Sequence, residues 1–145
     1  MVNLGYLLMD QTKVLKSQLK HALEKQQLTV TQWAVIAALA RADGPKTAAQ
    51  LAQELEMDKP TVSGVVRRLL KKKLIQEHPK PADKRAREIL LTELGSSTYQ
   101  QCAKIADQTI AHFLSPLSPE QQQQLSAILT ILEGEQNHDE NISPR

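Results

Sequence analysis

Between Lys59 and Arg87 the chain carries ten Lys and Arg against two acids, a net charge of +8, while the rest holds eight bases and fourteen acids, a net −6. The chemistry open to such a patch is neutralisation of a polyanion, each cation releasing counterions as it meets a phosphate. The patch is also ordered. Val62, Val65, Val66, Leu69 and Leu70 fall at i, i+3, i+4, i+7 and i+8, the spacing of one apolar stripe on an α-helix. At about 100° per residue the opposite face gathers Pro60, Gly64, Arg67 and Lys71, flanked by Thr61, Ser63 and Arg68. Short polar side chains at the N-terminal end let a backbone approach base edges in a DNA major groove, and the cations behind them reach bases or phosphates. By position Ser63 and Arg67 are the base-edge candidates, and Lys59, Arg68, Lys71 and Lys72 complete the basic surface. A solvated amphipathic helix with a basic wet face is the alternative, and the flanking elements weigh against it.

No other chemistry competes. His21, His78, His112 and His138 are scattered without metal-ligand spacing. There is no Gly-rich phosphate loop, no zinc-protease helix motif and no nucleophile elbow, so neither an enzyme nor a cofactor is expected. A lone cysteine, Cys102, excludes an intramolecular disulfide and a thiolate zinc site. It shares a helix face with Tyr99 and Ala106, which favours a buried small hydrophobe over a redox sensor. No run approaches the roughly 20 apolar residues of a membrane span and no signal-like start is present, so a soluble cytoplasmic protein is the expectation.

The elements that must hold this patch are helical on both sides. From Asn3 to about Gln26 the positions Leu4, Leu7, Leu8, Val14, Leu15, Leu19, Ala22 and Leu23 keep a helical period, over a length a small domain alone would leave partly uncovered. A second helix opens with a Thr29–Gln32 capping box, with Leu28 and Trp33 as its hydrophobic staple, and stops before Asp43-Gly44-Pro45. Thr47 and Gln50 box a short third helix. Asp58 is placed to cap the basic helix through the Thr61 N–H, and Pro60 fits its first turn. The two together read as a helix-turn-helix. Residues 74–77 and 87–91 read as two short strands joined by a basic, proline-stiffened loop over 78–85, a wing carrying Asp83, Lys84, Arg85 and Arg87. Thr92 caps a further helix that ends at Ser115-Pro116. Ser118-Pro119-Glu120-Gln121 starts the last one, with Leu125, Ile128, Leu129 and Leu132 on one face, and from Gly134 the chain is polar and unpatterned. The expected class is mainly α with a small β-hairpin wing. Residues 28–95 form the nucleic-acid-binding region, 1–27 and 96–134 a helical dimerisation region, and 135–145 a disordered tail.

The run Asp83-Lys84-Arg85-Ala86-Arg87-Glu88-Ile89-Leu90-Leu91-Thr92-Glu93-Leu94-Gly95 resembles the wing signature of the MarR family of winged helix-turn-helix regulators. Leu28-Thr29-x-x-Gln32-Trp33, Leu51-Ala52 and Thr61-Val62-Ser63 resemble other parts of that family's pattern. The resemblance implies a transcriptional regulator of double-stranded DNA, a homodimer held by its first and last helices over a pseudo-palindromic operator. The reading helices would lie in successive major grooves and the wings along the minor groove. It further implies that Arg85 enters the minor groove, oriented by Asp83, and that a small, aromatic effector releases the DNA. Trp33 is then either core or a wall of the effector cleft. Two departures stand out: Lys73 where the family often has Gly, and Glu77-His78 where it has a basic residue. Leu4, Leu7, Leu8, Ile128, Leu129 and Leu132 are the expected dimer contacts. A nonspecific architectural DNA binder and a winged-helix protein-interaction module remain as alternatives.

Overall fold

Each expected helix forms, and local capping explains where most of them begin. The computed structural model describes the backbone of residues 2–142 and the side chains of residues 2–135. The chain divides into two compact units, Met1–Thr109 and Ile110–Arg145. Its elements are α1 (Leu4–Glu24), α2 (Val30–Arg41), β1 (Lys46–Thr47), α3 (Ala48–Glu54), α4 (Lys59–Lys71), β2 (Ile75–Lys80), β3 (Asp83–Leu91), α5 (Glu93–Leu114) and α6 (Pro119–Ile142). The side chain of Asn3 accepts the Gly5 and Tyr6 N–H groups to start α1. Both threonine capping boxes are closed, Thr29 with Gln32 and Thr47 with Gln50, and Ser118 with Gln121 repeats the device at α6.

Asp58 is a correction. It is the N-cap residue of α4, but its side chain makes no capping bond. Pro60, two residues on, has no N–H to offer, which removes one of the two donors that an N-cap oxygen ordinarily takes.

Val62, Val65, Val66 and Leu69 of α4 are buried against Leu51 of α3, Val35, Ile36 and Leu39 of α2, Leu23, Leu28, Ile75, Ile89 and Cys102, a single core within the first unit. Three helix ends deliver the chain into that core in the same way. Leu28 N donates to Leu23 O, Met57 N to Ala52 O and Leu74 N to Leu69 O, each paired with a bond from the residue before to a carbonyl three residues back. This is the Schellman exit, and it demands a left-handed residue at the turn. Gln27 (φ 60°), Glu56 (φ 53°) and Lys73 (φ 61°) fill that position without glycine. Lys73 therefore keeps the exit that glycine would serve more easily, at about 1 kcal/mol of backbone strain.

The wing is a three-stranded antiparallel sheet in the order β1-β3-β2. Two features differ from expectation. Lys46 and Thr47 pair with Ile89 and Glu88, a strand too short to show alternation in sequence. The eight-residue loop over 78–85 shrinks to a turn at Pro81-Ala82, because β2 continues through Pro79 and β3 begins at Asp83. β2 is an edge strand with a register shift between Pro79 and Lys80, which is where a missing N–H is tolerated.

Thr92 joins the wing to α5. Its Oγ1 accepts the Gly95 N–H (3.0 Å) and donates to Lys73 O (2.7 Å), while its N–H donates to Leu74 O (3.0 Å). α6 does not stop at Gly134 but runs to Ile142. A single glycine costs a helix interior only about 1 kcal/mol, and glutamates on both sides favour continuation. The expected tail over 135–145 is thus helical as far as 142, and residues 143–145 lie outside the described residues.

Candidate nucleic-acid interface

The outer face of α4 presents Lys59, Pro60, Thr61, Ser63, Arg67, Arg68 and Lys71 to solvent. Its inner stripe is the buried one, so the rotation of the helix is fixed by packing and the basic face has no choice but to point outward. Beside it the wing stands off, leaving an open concavity of about 540 Å³. Ser63 and Arg67 line one wall, Asp83, Arg85 and Arg87 the other, and Thr47, Ala48 and Ala49 close the end at the start of α3. Arg85 is exposed, and its backbone N–H is held by Asp83 Oδ1 at 3.0 Å, so the aspartate sets the path of the chain under the arginine. Lys84 is exposed alongside it.

Gly64 sits between Ser63 and Arg67 in the middle of this face. A Cβ added there would meet only the Arg68 guanidinium, at an ordinary 3.7 Å, so nothing inside the fold requires the glycine. Glycine in a helix interior is about 1 kcal/mol worse than alanine. Its use at this position makes sense if something outside the chain comes close to the helix backbone. Gly64→Ala should therefore raise the urea unfolding midpoint by the equivalent of about 0.5–1 kcal/mol while weakening DNA binding. A gain in stability with undiminished DNA affinity would mean that no ligand approaches here.

Two of the expected contacts have partners within the chain. Lys72 turns away from the basic face: its ammonium donates to Gln27 O and, at 2.9 Å, to Gln32 Oε1. Lys72 is exposed, but because its ammonium is bonded to groups of its own chain no phosphate role is proposed for it. Arg87 pairs with Glu77 through Nε at 2.9 Å, so the acid that departs from the family's pattern partly neutralises a wing cation. The end wall contributed by Thr47, Ala48 and Ala49 was not legible as part of the site; the small side chains there are the only sequence signal.

Trp33 is half-buried, packs against the core and stacks on Tyr99, with ring centres 5.4 Å apart and planes 13° from parallel. Cys102 is fully buried, and burial pushes its thiol pKa up, which keeps it protonated and unreactive. Among the described residues no three His, Cys, Asp or Glu side chains gather as a metal site, and no helix is long and apolar enough to cross a membrane.

A family model described as "MarR family" matches residues 26–86, from the end of α1 into the wing. A probable transcriptional regulator from Pseudomonas aeruginosa is 30% identical, aligned over 90% of this chain and 96% of that one with a TM-score of 0.77. S. aureus MepR, solved as a complex with DNA, is 28% identical over 93% of this chain and 99% of that one, also with a TM-score of 0.77. Wild-type MarR from E. coli in its apo form is 22% identical over 91% and 97% of the two chains, with a TM-score of 0.82, and shares the fold.

Proposed function

Because the chain belongs to the MarR family of winged helix-turn-helix, DNA-binding transcriptional regulators, we propose that it acts as a homodimeric repressor of a pseudo-palindromic operator, released by a small aromatic effector. The observation that carries the reading is the outer face of α4: a dispensable glycine flanked by Ser63 and Arg67, with exposed cations on either side and a wing arginine across a concavity. In this reading Ser63 and Arg67 meet base edges, while Lys59, Thr61, Arg68 and Lys71 meet the backbone. The wings follow the minor groove, where a narrow, strongly negative channel favours Arg85. Two copies related by a two-fold axis would set their reading helices about 34 Å apart, one turn of DNA. The effector would lie against Trp33, the larger ring of the stacked pair with Tyr99.

The test is selection of a duplex from a random-sequence library by the purified protein, followed by titration of the selected and a scrambled duplex. A specific regulator prefers the selected sequence. An architectural binder holds both alike, and a protein-interaction module holds neither. Arg67→Ala should cost about 1–3 kcal/mol on the selected duplex and far less on the scrambled one, since a bidentate arginine discriminates by that amount. Equal losses on the two would assign Arg67 to phosphate and rotate the helix in the groove.

A further inference from the structure

The turn that ends the reading helix is anchored on two sides. On one side Lys72 reaches Gln27 O and Gln32 Oε1, partners 45 and 40 residues earlier in the chain. Gln27 is the left-handed residue closing α1, and carbonyls at a helix C-terminus lack intrahelical donors and attract cations. Gln32 is a buried polar side chain with 5% of its surface exposed, and its oxygen serves the Thr29 N–H as well as Lys72. On the other side Thr92, at the start of α5, takes Lys73 O and Leu74 O. So three consecutive residues are held from two sides, Lys72 by the α1–α2 junction and Lys73 and Leu74 by Thr92, the residue just before α5.

We propose that Lys72 is a positioning residue for operator recognition: by tying the C-terminal end of α4 to the α1–α2 junction, it fixes how the reading helix is presented to DNA. This rests on the reading of α4 as the DNA-reading helix. Packing of the buried stripe sets the rotation of α4, and a charged donor shared between two acceptors adds a directional tie at its C-terminal end. Base contacts need that precision, because they fail with small displacements, whereas phosphate contacts follow the backbone and tolerate them. Loosening the turn therefore lowers discrimination before it lowers general affinity. A phosphate-binding lysine would do the reverse.

Lys72→Met keeps the length of the side chain and removes its donors; Lys72→Arg keeps a cation and donors; Lys71→Met removes an exposed cation one position earlier. Each is titrated across a salt series on the duplex selected by the wild-type protein and on its scramble. Lys72→Met should lower the preference for the selected duplex about tenfold, the equivalent of one well-placed base contact, with an unchanged salt slope, and Lys72→Arg should restore part of it. Lys71→Met should weaken both duplexes alike and flatten the slope by about one unit. A Lys72→Met variant that behaves like Lys71→Met overturns the proposal. The free protein supplies a second readout: Trp33, the chain's one tryptophan, is adjacent to Gln32, so its emission should shift in Lys72→Met and not in Lys71→Met. If the wild-type protein selects no duplex, the operator reading fails by itself, and an unshifted Trp33 emission would then separately overturn the role of Lys72 at this junction.

Discussion

Gly95→Ala is expected to remove a large part of the stability of the fold, on the order of 4 kcal/mol out of the 5–15 typical of a native protein. A Cβ at position 95 would lie 1.9 Å from Leu74 O, 3.0 Å from Leu74 C and 3.2 Å from Leu91 Cδ2. The first of these atoms is backbone, held by the Thr92 N–H at 3.0 Å, so no side chain can rotate out of the way. Relief requires the first turn of α5 to move off Leu74 by about an ångström or more. That displacement breaks both bonds from Thr92 to the 73–74 turn and the cap on Gly95, each worth about 1 kcal/mol, on top of the overpacking. Urea unfolding of Gly95→Ala beside Ser96→Ala, an exposed neighbour, makes the measurement. A loss below 1 kcal/mol would mean that α5 and Leu74 are not in contact as described. The glycine closing the wing signature is thus there because two backbones meet.

Leu8→Glu should leave a folded monomer and weaken operator binding by a hundredfold or more. Leu4, Leu7 and Leu8 on α1 are all exposed in the single chain, and so are Ile128, Leu129 and Leu132 on α6. Apolar stripes of this extent are covered in a stable protein, and a two-fold copy of the same chain covers both partners with one surface. A carboxylate in such an interface has no partner, and its desolvation outweighs what remains of the contact. The effect on DNA follows from geometry: a dimer binds its second half-site at high local concentration, an advantage of about 10²–10⁴ that a monomer lacks. Sedimentation of wild type and variant at micromolar concentration decides it. A wild-type protein that is already monomeric, or a variant that stays dimeric, would remove the dimer from the proposal.

What could be read in the sequence is what depends on near neighbours. The capping boxes at Thr29, Thr47 and Ser118 join residues three apart, and each is closed. The buried stripe of α4 rests on a period, and its opposite face follows by rotation. Where a second, distant element enters, sequence reading fails for a physical reason. Lys72 has the composition of a phosphate contact, but its acceptors lie on the α1–α2 junction, which no local rule places beside it. Pro79 read as loop because a proline is permitted in a strand only at an edge, and edge position is a property of the assembled sheet. Asp58 fails on a local matter after all: proline suits the first turn, yet it removes a donor that the cap could use.

The sheet has two edges, and each is short or interrupted. β1 is two residues long, and β2 carries Pro79 and a break in register before its end. A strand from a second molecule would find only short runs of free N–H and C=O groups, which disfavours the edge-to-edge growth through which exposed hairpins aggregate. The hairpin can therefore project from the domain with its charged tip free, and in the proposed dimer self-association falls to the helical stripes of α1 and α6.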